Sequence, residues 1–286
     1  MNHAMINSAS GVRAMQLRVD TIANNLANSD TVGFKSSDTT FAAMLTRNLN
    51  NQPYTEYEQG RQTPYGIRPG FGAKEALQVV DYKQGAMKQT DSPTDLFLQG
   101  EEAFFRVQRA GVNGRPNETY FTRAGNFSTL PTANGQLALL TAQGDAVMDT
   151  AGRPVQIPSN ATNFTVNKDG QIVYRLNGVE TQGQRIGIYT VQNLNILNPA
   201  GENYYRIPVE QIGGNAQWTD YARLANGGAT LPDGVGIQQK ALEASNVDLR
   251  KEMTMLIEAQ RSLQFNARAI SYNDQMSDIT NRIYKG

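Results

Sequence analysis

The sequence of 286 residues contains no cysteine and a single histidine, His3. Thiol nucleophiles, disulfides and cysteine-based zinc sites are therefore excluded. The usual general base is confined to the tip of the chain, where we interpret His3 as a solvated terminal residue. These two absences remove most enzyme chemistry before any motif is considered.

An excess of charge of either sign is also absent. Lysine and arginine number 26, aspartate and glutamate number 26, and no stretch concentrates one sign. Nothing in this pattern builds the field that attracts phosphate backbones or anionic lipid, so we predict no nucleic-acid partner and no membrane insertion. No segment approaches 18 consecutive apolar residues, and the start, MNHAMINSASGVRAM, lacks the pattern of a cleaved signal peptide.

The N-terminal segment does carry a heptad pattern of apolar residues. Met5, Val12, Val19 and Leu26 lie seven residues apart, and Ile22 widens the stripe. This spacing predicts an amphipathic helix over residues 3–28. We expect it to end near Ala27, because the following residues, NSDTVG, are helix terminators and turn formers.

The C-terminal segment carries a longer pattern of the same kind. Apolar residues alternate at spacings of three and four at Leu249, Met253, Leu256, Leu263, Ala267 and Ile270, and the polar Gln260 fills one position. The pattern predicts one helix from Leu242 to Ile283. Gln260 is interpreted either as a device that fixes the register of helix pairing or as a tolerated residue at a solvent-facing turn, and both interpretations stay open.

The middle of the chain has a period of two, in short runs such as LQVVDY, AFFRVQ and QIVYRL. Turn dipeptides at Asp169-Gly170, Asn134-Gly135 and Asn177-Gly178 separate these runs, and the first is the strongest hairpin signal. The predicted fold class is α+β, with an antiparallel β domain inserted between N- and C-terminal amphipathic, coiled-coil-like helices. The predicted domains are residues 1–35 plus 240–286, a linker or extra loop over 36–76, and a mainly β domain over 77–239.

Two polar segments fit neither pattern and are predicted to be long surface loops or linkers. Thr46–Gly72 is rich in Asn, Gln, Tyr, Pro and Gly. Ile212–Val235 is similar and has Trp218 as its one large apolar anchor.

Candidate reaction centres are weak throughout. Gly70-Phe71-Gly72 resembles the start of a dinucleotide fingerprint but lacks the strand and helix that the fingerprint requires. Asp91 with Asp95, or Glu101 with Glu102, could supply paired carboxylates for glycoside hydrolysis, but we interpret Glu101 and Glu102 as a polar turn between two strands. We therefore predict a protein that is not an enzyme and has no catalytic residue, no cofactor and no metal site.

Four blocks of sequence resemble the flagellar axial proteins, the rod and hook components of the bacterial basal body. They are ANNLANSDTVGFK at Ala23–Lys35, Gly85–Val107, TRAGNFS at Thr122–Ser128 and Leu242–Met276. The first and last supply the family motif residues Ala23, Asn24, Asn25, Leu26, Ala27, Asn28, Gly33, Phe34, Lys35, Ser245, Asn246 and Val247. The place of Thr46–Gly72 makes the chain most similar to the distal rod members. One departure is Gly100-Glu101-Glu102-Ala103-Phe104-Phe105, where the family usually reads Gly-x-Gly-Phe-Phe.

The resemblance implies a structural subunit of the rod that polymerises into a helical tube and transmits torque between motor and hook. Implied partners are copies of itself, neighbouring rod and hook proteins and the flagellar export apparatus. The implied location is the basal body in the cell envelope, reached without a cleaved signal peptide. Alternatives are a hook or proximal rod subunit, or a secreted β-rich protein that binds the cell wall or acts on carbohydrate.

The terminal helices suggest how such a subunit assembles. Each has an apolar stripe that one partner helix cannot fully cover, so we predict that both ends are largely disordered in the free subunit and become ordered in the polymer. Unlike contact patches would make the assembly open and helical. The predicted interface consists of Met5, Val12, Val19, Ile22, Leu26, Leu249, Met253, Leu256, Gln260, Leu263, Ala267 and Ile270.

Overall fold

A computed structural model of the chain describes residues 3–43, 73–110, 118–132, 134–209, 217–227, 231–232 and 234–285. Its helices are α1 (His3–Ala27) and α2 (Leu249–Lys285), and short 3-10 helices cover Leu194–Ile196 and Trp218–Asp220. The strands are β1 (Ser37–Ala43), β2 (Ala73–Val80), β3 (Met87–Gln89), β4 (Leu96–Gln99), β5 (Ala103–Arg109), β6 (Glu118–Thr122), β7 (Ser128–Pro131), β8 (Gln136–Leu140), β9 (Ala146–Val147), β10 (Gln156–Pro158), β11 (Thr162–Val166), β12 (Gln171–Leu176), β13 (Val179–Arg185), β14 (Ile188–Val191), β15 (Asn198–Pro199), β16 (Tyr204–Arg206), β17 (Ala222–Leu224), β18 (Gly236–Gln239) and β19 (Ala241–Glu243). Helices flanking a mostly antiparallel β domain confirm the predicted α+β class.

The chain divides into two compact units. The first consists of Met1–Ala27, Ser37–Val79 and Asp248–Gly286, and the second of Asn28–Ser36 and Val80–Val247. In the first unit, α1 and α2 pack against each other and β1 pairs with β2. Neither α1 nor α2 is long and apolar enough to cross a membrane.

The two helices test the predicted boundaries. The prediction for α1 is confirmed, since the helix ends at Ala27 and a turn follows. The predicted start of the C-terminal helix at Leu242 is wrong, because Ala241–Glu243 form strand β19, which pairs with β3. Helix α2 begins only after Asp248, whose carboxylate oxygen Oδ1 accepts the backbone N–H of Arg250 at 3.0 Å and acts as the N-terminal cap.

The second unit is built around one large antiparallel sheet. Its main path runs β10-β8-β9-β5-β6-β16-β15, and β14 joins it by pairing with both β5 and β17. A separate sheet has the order β11-β12-β13. The predicted hairpin at Asp169-Gly170 is confirmed as the β11–β12 connection, where Gly170 has a φ of +81° and donates its N–H to the carbonyl of Asn167 at 2.9 Å.

Two apolar clusters fill this unit. The larger includes Phe105, Leu139 and Ile188, each fully buried. The smaller is rich in aromatic rings, and Trp218 packs into it with ring centroids 5.9 Å from Phe121 and 5.6 Å from Tyr189. Trp218 therefore anchors its segment as expected. The rest of Ile212–Val235 is described only in part, and Thr46–Gly72 lies outside the described residues.

Candidate assembly surface

The two faces of α2 differ sharply in exposure. The buried and half-buried positions follow a heptad pattern at Glu252, Leu256, Ala259, Leu263, Asn266, Ile270 and Asn273. A Cβ atom added at Gly11 of α1 would lie 3.1 Å from the Asn266 side chain, so this is the face that packs against α1. Gly11 lets the two helices approach closely at that point.

The residues predicted to form the assembly interface fall on both faces. Ile22 is buried, and a larger group is half-buried, consisting of Val12, Val19, Leu26, Leu256, Leu263 and Ile270. The exposed group consists of Met5, Leu249, Met253, Gln260 and Ala267. Met253 exposes 52% of its surface, so a large apolar side chain lies uncovered on the helix pair.

The exposed apolar surface of α2 extends well beyond the predicted set. Its further members are Ile257, Phe265, Tyr272, Met276, Ile279 and Ile283, with exposed fractions between 51% and 77%. Phe265, Tyr272 and Ile279 are seven residues apart, so a second heptad column could have been found in the sequence. Together with Leu249 and Met253 these residues form what we call the open stripe of α2.

A buried ionic cluster lies where the family motif residues meet. The ammonium nitrogen of Lys35 lies 2.7 Å from Glu243 Oε1, and the Arg123 guanidinium lies 2.8 Å from Glu243 Oε2. All three side chains expose 1% or less of their surface. Lys35 also donates to the carbonyl of Lys83 at 2.6 Å, and Gly85 donates its N–H to Glu243 Oε1 at 2.8 Å. One carboxylate thus serves two buried cations.

Burial dominates the electrostatics of this cluster. It lowers the pKa of Lys35, and the nearby Arg123 charge lowers it further, while Glu243 opposes both effects. Burial also lowers the pKa of Arg123, again against the opposing effect of Glu243. Glu243 is therefore the group that keeps two cations charged inside the domain. Neither Glu243 nor Arg123 was predicted to have a role, although both lie in the blocks that carry the family resemblance.

Other motif residues tie backbone segments together. The Asn25 side chain donates to the carbonyl of Ser37 at 2.8 Å and accepts the N–H of Ser37 at 3.0 Å, which fixes the end of α1 to the start of β1. The Asn246 side chain accepts the N–H of Ser36 at 2.7 Å and donates to the carbonyl of Asp81 at 2.7 Å. A buried polar backbone needs such partners, so these asparagines have a structural role.

Gly33 is required by a close approach of two backbones. It has a φ of +69°, and a Cβ atom there would lie 2.6 Å from the backbone nitrogen of Ala124. Its N–H donates to the carbonyl of Glu243 at 2.8 Å. The remaining motif residues line the same segments: Phe34, Ser245 and Val247 are half-buried, Leu26 and Asn28 are half-buried, and Ala23, Asn24 and Ala27 are exposed.

The candidate carboxylate pairs lie at exposed or half-buried positions in turns and loops. Glu101 and Glu102 are exposed in the turn between β4 and β5, as the sequence predicted. Asp91 is exposed and Asp95 is half-buried in a neighbouring loop. At this corner Gly100 has a φ of +99°, a backbone conformation that favours glycine. Ala103, which departs from the family pattern, is fully buried at the start of β5.

Buried tyrosines make the stability of the β domain sensitive to alkali. Burial raises the pKa of Tyr82, Tyr204 and Tyr205 above the ordinary phenol value, so the folded state keeps protons that the unfolded chain loses above about pH 10. We expect the free energy of unfolding to fall above that pH by on the order of 1 kcal/mol per pH unit for each tyrosine. Lys35 and Arg123 act in the opposite direction, because their folded pKa values are lowered, but they are two groups against three.

Urea unfolding at a series of pH values from neutral to strongly alkaline measures this effect. The Tyr82→Phe variant removes one of the three phenols, whose hydroxyl donates to the carbonyl of Leu197 at 3.3 Å, and should flatten the decline. A stability that does not change between pH 9 and pH 11, on the order of one pH unit either side of the phenol value, contradicts the assignment.

Comparison with known proteins places this arrangement in one family. The chain matches the family description "Flagella basal body rod protein" over residues 5–35, "Flagellar hook protein FlgE/F/G D1 domain" over 98–174, and "Flagellar basal body rod FlgEFG protein C-terminal" over 238–283. The first and third matches cover most of α1 and α2. The second covers β5 through most of β12, the centre of the β domain.

Relatives that match over nearly their whole length are flagellar basal-body proteins. The chain is 36% identical to the flagellar basal-body rod protein FlgG of Caulobacter vibrioides, with 98% of each chain covered. It is 33% identical to the flagellar hook-basal body complex protein FlhP of Bacillus subtilis, covering 99% of this chain and 100% of the relative. It is 31% identical to FlgG of Borreliella burgdorferi, with 99% of each covered. The chain belongs to the family of flagellar basal-body rod proteins.

Proposed function

We propose that this chain builds the rod by burying the open stripe of α2, together with the exposed end of α1, against further copies of itself. It is a structural subunit of the flagellar basal body, as its family membership gives. The observation that carries the proposal is the series of large apolar side chains that α2 exposes between Leu249 and Ile283, although another face of the helix already packs against α1. Isolated surface leucines need no partner, but eight exposed large apolar residues on one helix, three of them in a heptad column, indicate one.

The geometry of the contact determines the form of the assembly. Met5 and Ile6 are exposed on α1 and the open stripe lies on α2, and we infer that a copy docked on one leaves the other open for the next. Repetition of such a heterologous contact gives an open helical array instead of a closed dimer. We infer that the polymer is a helical tube that transmits torque between motor and hook and contacts neighbouring rod and hook proteins. Each subunit passes through the flagellar export apparatus before it assembles.

A catalytic role has no support from the described residues. The glutamates that offered the best carboxylate pair lie in an exposed turn. The buried charged groups Lys35, Arg123 and Glu243 form ion pairs with one another. We therefore infer a purely structural role.

The proposal predicts that α1 and α2 are weakly ordered until subunits meet. Helices with an uncovered apolar face gain most of their stability from packing, which here is completed only in the polymer. Amide hydrogen exchange on the dilute full-length monomer should show fast exchange across 12–26 and 249–270, and slow exchange across β5, β6 and β14. After polymerisation, confirmed by electron microscopy of tubes, the helical amides should become protected by several orders of magnitude.

The β strands provide the internal control for this measurement, because their ladder does not depend on assembly. Strong protection of both helices in the dilute monomer contradicts the coupling of helix order to assembly. Failure of concentrated protein to form any ordered tube contradicts the proposed self-assembly itself.

A further inference from the structure

An open cleft of about 540 Å3 lies on the sheet β11-β12-β13 of the β domain. Phe164 and Tyr174, on adjacent strands, are half-buried aromatic residues of its lining, and both also pack against the apolar core. Asn163 and Lys240 line it with an amide and an ammonium group, and both residues are exposed. The mixture of ring faces with a few fixed polar groups is typical of small-molecule sites.

The backbone of both polar residues is held in the left-handed region. Asn163 has a φ of +52° and Lys240 a φ of +60°. Lys240 is fixed by its N–H, which donates to the carbonyl of Asp95 at 2.8 Å, and by its carbonyl, which accepts the N–H of Thr90 at 2.9 Å. Asn163 lies in an irregularity of the β11–β12 ladder, between Thr162 and Thr165. Non-glycine residues in this region cluster at functional sites, because the surrounding structure must enforce them.

The side chains of Asn163 and Lys240 make no hydrogen bond or ion pair with any residue that the structure describes. Their neighbour Gln239, in contrast, is fully engaged: it donates to the carbonyl of Phe164 at 3.1 Å and accepts the N–H of Val166 at 3.2 Å. The polar atoms of the Gln239 side chain are thus hydrogen-bonded within the protein. The amide of Asn163 and the ammonium group of Lys240 remain available to a ligand.

The cleft is unsuited to adding a peptide strand. On the edge strand β11, the carbonyl of Phe164 and the N–H of Val166 are already bonded to the Gln239 side chain. Strand addition depends on main-chain groups that are unpaired. Recognition in this cleft must therefore come from side-chain rings and side-chain polar groups.

We propose that this cleft binds an acidic carbohydrate chain. The C–H face of a sugar ring packs on Phe164 and Tyr174, as apolar groups pack on aromatic faces. The Asn163 amide can both donate to and accept from sugar hydroxyls, and Lys240 pairs with a carboxylate carried by the sugar. At the rim, Arg175 and Glu180 form an ion pair of 3.2 Å that offers further donors and acceptors. This function is separate from self-assembly through the helices.

Three probes separate the possible ligands in calorimetric titrations of the full-length protein. A hyaluronan tetrasaccharide carries amino sugars and carboxylates, chitotetraose carries amino sugars alone, and tetraglutamate carries carboxylates alone. We expect the hyaluronan tetrasaccharide to bind at least about tenfold more tightly than chitotetraose, because only the former pairs with Lys240. Tetraglutamate binding as tight as that of the acidic sugar overturns the proposal in favour of an acidic-peptide site, and absence of binding by both sugars overturns it outright.

Glycine variants locate the binding without disturbing the fold, because glycine suits a positive φ. Lys240→Gly should weaken hyaluronan binding at least about tenfold and leave chitotetraose unchanged, and Asn163→Gly should weaken both. The matched control is Asn177→Gly, which has a φ of +50° in the β12–β13 turn outside the cleft and should bind like the unaltered protein. Unchanged binding in both cleft variants places the sugar elsewhere and overturns the assignment.

Discussion

Replacing Glu243 by glutamine should lower the free energy of unfolding of the β domain by about 3–5 kcal/mol. The change removes the only carboxylate within ion-pair distance of Lys35 and Arg123 among the described residues, and leaves two buried cations facing each other. The glutamine oxygen can keep the hydrogen bonds from Lys35 and Gly85 that Oε1 accepts, but the amide NH2 group then faces the Arg123 guanidinium. An uncompensated buried charge is among the most destabilising single changes known in proteins.

The single tryptophan makes this measurement direct. Trp218 packs against Phe121 in the same unit, so its fluorescence follows unfolding of the β domain in urea. The matched control is Glu102→Gln, which makes the same chemical change at an exposed position and should cost under about 0.5 kcal/mol. The double variant Lys35→Met with Glu243→Gln should be more stable than the two single effects predict, because it removes one of the two stranded cations. A loss below about 1 kcal/mol for Glu243→Gln means that water reaches the cluster and contradicts its burial.

The cluster also shows where sequence reasoning reaches its limit. The run ALEASNV reads as the start of a helix, because Ala, Leu and Glu are strong helix formers. In the structure Ala241–Glu243 pair with Met87–Gln89, a contact that spans about 150 residues and overrides local propensity. Arg123 gave no local sign of burial either, since its partner Glu243 is 120 residues away. Side chains that meet only through long-range pairing leave no periodic signal.

Periodic features were predicted well, because the regular spacing of apolar residues directly gives the face of the helix or strand that they form. Helix α1, the alternating strands and the Asp169-Gly170 hairpin follow directly from spacing and turn chemistry. The heptad pattern of α2 was predicted, but not which side of the helix faces α1. The inward face combines the apolar Leu256, Leu263 and Ile270 with Glu252, Ala259 and Asn266. Large apolar side chains left exposed at other positions of α2 are a sign of self-association.

The sharpest test of assembly is to place a charge on the open stripe of α2. Phe265 exposes 75% and Met276 exposes 67% of its surface, so glutamate at either position leaves the monomer unstrained. In the polymer each substitution loses about 1.5–3 kcal/mol of apolar burial per contact and adds a buried unpaired charge. We expect the critical concentration for tube formation to rise at least about tenfold for Phe265→Glu, and further for the double variant.

The control for this test must carry the same charge on the same helix. Gln264→Glu adds a negative charge at an exposed polar position beside Phe265 and should polymerise close to normally. Glutamate at Val19, Leu256 or Leu263 tests a different contact, since these residues are half-buried in the single chain and their substitution also loosens α1 from α2. If Phe265→Glu with Met276→Glu forms intact tubes at the normal concentration and supports motility, the open stripe is not the assembly surface, and the contacts between copies must be sought on the β domain.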